Sequence, residues 1–235
     1  MTGYDVIGDI HGHFDKLAAL MKRMGYAPKG ESFLAPHGRQ AIFVGDLIDR
    51  GPEQVKVLKA VRAMVDAGDA RVVMGNHEFN AIGYVSIDEY AGDGEFLRPN
   101  RFDTRKSVKN RGQHAQFLSQ VGEGSAAHQE WVSWFKTLPL YLHLGGIRVV
   151  HAWWDDALIK LVDLHYWDST ESCISDQFLL NSFGREKTWK QARETLTTGI
   201  EHPLPAGEFV TDKEGNQHPN LRVAVWRHTA KMLRE

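Results

Sequence analysis

The sequence predicts an α/β domain: a largely parallel central sheet with helices packed outside it. Three apolar runs carry that reading, at residues 3–8, 41–44 and 70–74. Each passes into a Gly-containing loop that holds carboxylate, imidazole or amide side chains. The first two loops lead into amphipathic helical patterns, so the chain repeats a strand, a polar turn and a helix. The central stretch is Ala41-Ile42-Phe43-Val44-Gly45-Asp46-Leu47-Ile48-Asp49-Arg50-Gly51-Pro52. Its acids sit just past the carboxyl end of a buried strand, where open α/β sheets place ligands. Uncompensated charge beside a core is costly, and a bound cation would neutralise it.

Each element follows from its residues. Gly3 to Gly8 reads as the first strand, and Asp9-Ile10-His11-Gly12-His13 as its turn. Asp9 and His11 are two apart, so on extended chain they aim to one side. Asp15 to Gly25 reads as a helix with Leu17, Leu20, Met21 and Met24 on one face and Gly25 as its C-cap. Residues 30–45 read as a short strand pair leading into the central strand. Pro52 suits the first turn of the next helix, which carries Val55, Leu58, Val61 and Val65 on one face and ends at Gly68. Ala70 to Met74 forms the third strand and runs into Gly75-Asn76-His77-Glu78.

Residues 83–127 break this rhythm and read as an inserted lid or cap, helical from about Gln113 to Gln120. Acids (Asp88, Glu89, Asp93, Glu95) come first, then a basic run from Arg98 to Arg111 that includes Arg101, Arg105, Lys106 and Lys109. That run is either a solvated face or a grip for extra phosphates. A helix is expected over Gln129 to Lys136, then a hairpin of Leu138–Leu144 and Ile147–Val150 about Gly145-Gly146 that delivers His151. Residues 155–163 and 173–198 read as helical, with Pro203 and Pro205 breaking the run. A last hairpin pairs Glu208–Thr211 with Leu221–Trp226 through a turn at 212–216.

At 235 residues the chain fits one domain, 1–235, with a core that needs no staples. A net charge of −2 gives no long-range field towards nucleic acid or anionic lipid. The single Cys173 excludes an internal disulfide and suits a reducing compartment. With no signal-peptide pattern and no membrane-length apolar run, a cytoplasmic location is expected.

The candidate ligand cluster is Asp9, His11, Asp46, Asn76 and His151. This mixed oxygen and nitrogen set suits Mn, Fe or Zn better than Ca. Asp46, central in the order, can bridge two ions. Two divalent cations against two carboxylates leave a positive site that attracts phosphate. Ions about 3.5–4 Å apart can hold a hydroxide and clamp an in-line displacement. Hydrolysis of a phosphate ester is the expected reaction. His77 is the candidate general acid, Asp49 the carboxylate that holds its ring, and Arg50 a planar fork for phosphate oxygens.

Gly8-Asp9-Ile10-His11-Gly12, Gly45-Asp46-Leu47-Ile48-Asp49-Arg50-Gly51 and Gly75-Asn76-His77-Glu78 resemble the three signature blocks of the calcineurin-like metallophosphoesterases. They are most similar to the phosphoprotein phosphatase branch, which includes bacterial diadenosine tetraphosphatases and a polynucleotide-phosphatase group. Val149-Val150-His151-Ala152 resembles the next block more loosely. The resemblance implies a four-layer α/β/β/α sandwich with two metals, Mn first, Fe or Zn otherwise. It implies that Asp9 and His11 hold one ion, Asn76 and His151 the other, with Asp46 between. It also implies the roles given to His77, Asp49 and Arg50. The family pattern ends on a further His, usually after Gly. His228 follows Trp226-Arg227 instead, so it is expected at the surface, with the last ligand absent from this chain.

Three functions compete. The first is a di-metal phosphatase acting on a phosphorylated small molecule, nucleotide or phosphoprotein. The second acts on nucleotides or polynucleotide ends, with the basic run and Trp153-Trp154 as extra contacts. The third is a weakly active domain that binds metal or a partner.

Overall fold

The computed structural model describes residues 3–92, 94–101, 103–166, 174–211 and 217–223. Cys173, the turn at 212–216 and His228 fall outside them. Strands β1 (Gly3–Ile7), β4 (Arg39–Phe43) and β5 (Ala70–Val72) form a three-stranded sheet, ordered β1-β4-β5 and parallel throughout. Between the first two lie helix α1 (Phe14–Arg23) and the small hairpin of β2 (Ala27–Lys29) and β3 (Ser32–Leu34). Helix α2 (Gln54–Asp66) connects β4 to β5.

Side-chain alternation explains what covers each face. Ala41, Phe43 and Val72 join Leu17 and Met21 of α1 and Val57, Leu58 and Val61 of α2 in the main core. Ile42 and Val73 point the other way and meet Leu144 and Val149. Those two come from the antiparallel pair β6 (Tyr141–Leu144) and β7 (Ile147–Val150). Buried on both faces, the central strand reads as a continuous apolar run.

Several boundaries differ from the sequence reading. Pro52 precedes α2, whose first turn begins at Gln54 with Glu53 as N-cap. Leu20 stays exposed on α1. Helix α3 (Asn76–Val85) starts within the third polar block, with Gly75 as its N-cap. Residues 83–127 hold the end of α3 and a long helix, α4 (Arg105–Val121). The Thr104 side chain accepts from Ser107 N and so starts α4 well before Gln113. Phe117, Leu118 and Val121 of α4 belong to the main core. Helix α5 (Ala126–Lys136) follows, with Ser125 as its cap.

The second half departs further. Helix α6 spans Asp156–Tyr166. The expected run 173–198 is broken into α7 (Asp176–Leu180), a π-helical turn at Asn181–Arg185 and α8 (Lys187–Thr197). The break falls at Gly184, whose φ of 143° no helix accommodates. The final hairpin is also paired differently. β8 (Glu201–Pro203) pairs with β11 (Asn220–Arg222), and β9 (Val210–Thr211) with β10 (Gln217–His218). Pro219 separates β10 from β11 and has no N–H for a ladder, so the return segment splits between two partners. Among the described residues, no helix is long and apolar enough to cross a membrane.

The loops after β1 and β4 are fastened together. Ile10 N and His11 N donate to Asp46 O at 3.1 and 2.9 Å, Gly12 N to Leu47 O at 2.8 Å, and Gly51 N to His11 O at 2.8 Å. A Cβ on Gly51 would sit 2.3 Å from His11 O, so only glycine permits this approach. Glu78, fully buried on α3, then locks the β4 loop to the third block. Its carboxylate accepts from Asp46 N and Leu47 N, both at 2.8 Å, and from Gly75 N at 3.0 Å.

Two stability outcomes follow. Glu78→Gln replaces one acceptor oxygen by a donor facing N–H groups; a loss of about 1–3 kcal/mol is expected in denaturant unfolding. An unchanged midpoint would contradict the clamp. Gly83→Ala would place a Cβ 2.2 Å from the Phe183 ring, whereas one on Gly112 meets nothing within 4 Å. Thermal melting should show Gly83→Ala destabilised by about 1–3 kcal/mol, and Gly112→Ala neutral or up to about 1 kcal/mol more stable.

Candidate metal centre

The strand-end loops bring Asp9, His11, Asp46, His77 and His151 together. Two groups of ligand atoms, His11–Asp46–His77 and Asp9–Asp46–His151, each lie within 4.8 Å of one another. Asp46 is common to both. Its Oδ2 stands 3.7 Å from His11 Nε2, 3.9 Å from His77 Nε2 and 3.6 Å from His151 Nε2. These separations are too long for hydrogen bonds. For His11 and His151 they suit atoms that share a cation at about 2.0–2.2 Å from each. Asp9 Oδ2 lies 4.0 Å from His11 Nε2.

The ring orientations fit the same purpose. His11 Nδ1 is bonded to Ile48 O at 2.8 Å, and His151 Nδ1 to Val44 O at 2.6 Å. A carbonyl partner makes Nδ1 the donor, which leaves Nε2 as a lone pair facing the centre. His11 Nε2 is buried and has no hydrogen-bond partner. An orphaned imidazole nitrogen beside the buried Asp46 carboxylate is what a cation site requires. Burial, reinforced by the neighbouring His77, pushes the His11 pKa below its usual value, although its bond to Ile48 opposes this. A lowered pKa favours the neutral, ligating form of the ring.

Asn76 opens α3 between Gly75 and His77, both of which touch Asp46. His77 N donates to Asp46 Oδ1 at 3.0 Å, and a Cβ on Gly75 would lie 2.2 Å from that oxygen. Asp49 is fully buried and accepts at Oδ2 from His77 Nδ1 at 2.6 Å. Burial works against protonation of His77, but the Asp49 bond and the charges of Asp46, Asp49 and Glu78 outweigh it and raise its pKa. Burial opposes ionisation of Asp49 too, yet hydrogen bonds from His114 and His77 hold its pKa below the usual carboxylate range. Arg50 is exposed and lines a cleft of about 490 Å³ with Asp9, His11, His13 and Lys16. A larger groove of about 590 Å³ between α2 and α5, around Val55, Arg62 and Trp131, is remote from these groups.

The backbone marks the same place. Among the described residues, the non-glycine positions with positive φ are His11 (47°), Asp46 (51°), Asp49 (72°) and Arg50 (66°). Left-handed backbone is unfavourable for such residues and concentrates where a site is over-determined.

Three contributors escaped the sequence reading. Glu78 stood in a quoted block, but its backbone partners are tertiary. Gln54 accepts from Asp49 N at 2.7 Å and donates to Gly51 O at 2.6 Å, so it braces the turn. His114 of α4 donates from Nδ1 to Asp49 Oδ2 at 2.9 Å. A histidine in so polar a helix carries no sequence signal of that contact. The basic run is partly spent on local contacts: Arg98 bonds Gln113, Arg101 stacks on Phe96 and Arg111 bonds Asn100 and Asp103. Trp154 packs on Tyr141 and His143 and bonds Asp156.

Residues 4–212 match the family model described as calcineurin-like phosphoesterase. The asymmetrical bis(5'-nucleosyl)-tetraphosphatase PrpE of Bacillus subtilis (strain 168) is 31% identical over 151 residues, which cover 63% of this chain and 57% of that protein. A symmetrical bis(5'-nucleosyl)-tetraphosphatase of Aromatoleum aromaticum is 34% identical over 148 residues, or 62% of this chain and 42% of the relative. The match thus spans about half the length of these curated relatives. A solved serine/threonine phosphatase from Saccharomyces cerevisiae superposes with a TM-score of 0.45 at 16% identity, over 81% of this chain and 48% of that one. A metallophosphoesterase from Sphaerobacter thermophilus gives 0.40 at 21% identity, over 64% and 46%. With most of its length matched by the family model, and the signature blocks gathered around Asp46, the chain belongs to the calcineurin-like phosphoesterase family.

Proposed function

We propose that this chain is a metal-dependent phosphoesterase that hydrolyses phosphate esters, acting as one domain over residues 1–235. The observation that carries the proposal is the convergence of His11 Nε2 and His151 Nε2 on Asp46 Oδ2, at 3.7 and 3.6 Å, beside a His77–Asp49 pair. Asp9, His11, Asp46, Asn76 and His151 are the residues that would hold two divalent ions. Manganese is our first assignment, with iron or zinc as alternatives. Bound ions would supply an activated water and positive charge for the phosphoryl oxygens.

The remaining steps belong to the protein. Arg50 lines the cleft and would offer two parallel N–H donors to the phosphate. Asp49 holds the His77 ring by Nδ1, so its Nε2 faces the centre. As water attacks phosphorus and the ester or phosphoanhydride P–O bond breaks, the leaving oxygen takes the proton from His77 Nε2. Among substrates we place dinucleoside polyphosphates first, because the relatives from Bacillus and Aromatoleum are named for that activity. Phosphoproteins and polynucleotide ends come second.

The test uses purified protein with Mn, diadenosine tetraphosphate and p-nitrophenyl phosphate. Turnover should require Mn and stop on chelation. Asp46→Asn should lose Mn binding in calorimetry together with activity. His77→Asn should keep Mn binding but lose roughly 10²- to 10⁴-fold in kcat on esters with poor leaving groups. Metal-loaded protein without turnover, or an Asp46→Asn variant of full activity, would overturn the proposal.

A further inference from the structure

Asp49 serves two histidines through one oxygen. His77 Nδ1 lies 2.6 Å from Asp49 Oδ2, and His114 Nδ1 lies 2.9 Å from the same atom. His77 opens α3, and His114 comes from the middle of α4. The His114 side chain is 1% exposed, and its Nε2 has no hydrogen-bond partner. The Tyr84 ring packs against it edge-on, at 5.6 Å between centroids.

An apolar side chain would fill this space without burying an unpaired nitrogen. The contact that distinguishes histidine from such a filler is the donor to Asp49. A carboxylate bonded from one side keeps a rotational freedom that a second donor on another helix removes. The state of the ring matters as well. Burial pushes the His114 pKa down, and the charges of Arg98 and His77 add to this against the pull of Asp49. His114 donates from Nδ1 to Asp49 Oδ2, and its Nε2 has no hydrogen-bond partner. It fixes the Asp49 oxygen without discharging it, and the carboxylate charge remains for His77.

We infer that His114 is a positioning residue for proton transfer: through Asp49 it fixes the orientation in which His77 meets the leaving oxygen. The inference rests on the phosphoesterase reading for its catalytic consequence, and on the two hydrogen bonds to Asp49 for its structural one.

The experiment compares wild type with His114→Leu and His114→Asn, loaded with Mn, on phenyl phosphate and p-nitrophenyl phosphate. Phenolate is the poorer leaving group and depends more on a well-placed acid. His114→Leu should lose roughly 30-fold in kcat on phenyl phosphate but under about threefold on p-nitrophenyl phosphate, with KM unchanged for both. His114→Asn keeps an N–H near the Nδ1 position and should recover most of the phenyl phosphate rate. Equal losses on the two esters, or none, would overturn the inference. A second readout needs no turnover. In metal-free protein, the downfield imidazole N–H resonance that disappears in His77→Asn should shift in His114→Leu and return in His114→Asn. A resonance unmoved in His114→Leu overturns the inference whatever the rates. Should wild type hydrolyse neither ester, the resonance still decides the role of His114; the phosphoesterase reading fails if diadenosine tetraphosphate is untouched as well. If His114→Leu does not fold, His114→Gln replaces it, because its amide sits too far along the side chain to reach Asp49.

Discussion

The buried carboxylate of Glu78 is the interaction on which the rest of the site depends. It gathers backbone N–H groups of Asp46, Leu47 and Gly75 that neither a strand nor a helix would satisfy. In doing so it sets where the chain turns after β4 and where α3 begins. Asp46 can face the histidines only while that turn is held. The arrangement places a carboxylate where burial and the nearby Asp46 charge push its pKa up to about 7, with the backbone donors pulling the other way. A fixed acceptor at the back of the loop thus governs the geometry at its front.

The backbone strain fits that picture. His11, Asp46, Asp49 and Arg50 all adopt the left-handed region; the first three are part of the fastening network, and Arg50 lies between Asp49 and Gly51, which both belong to it. Such conformations persist because the loops of two adjacent strands are bonded to each other, to Glu78 and to Gln54. The outcome is rigid placement of donor atoms on short turns between packed elements. Pre-organisation of this type lets a cation or phosphate bind without first ordering its ligands.

Much of this was legible in the sequence because the chemistry is contiguous. Each block follows an apolar run, so strand assignment and ligand position came from the same few residues; of the expected ligands Asp9, His11, Asp46 and His151 come together, with the expected acid His77 beside them. What stayed hidden depends on packing between distant segments. His114 reaches Asp49 across 65 positions, and α4 reads as polar because only one flank of it is buried. Gly184 looked tolerable inside a helical pattern, yet it is where the helix breaks. The pairing of β8 with β11 was invisible because strands of three residues carry almost no periodicity, and Pro203 argued against one.

The central claim is that Asp46 sits between two cations rather than beside one. Crystals grown with Mn and measured at a wavelength where Mn scatters anomalously test it most directly. The expected result is two anomalous peaks, one by Asp9 and His11 and one by Asn76 and His151, each within coordination distance of Asp46. A single peak, whether or not Asp46 ligates it, or ions bound elsewhere, would contradict it.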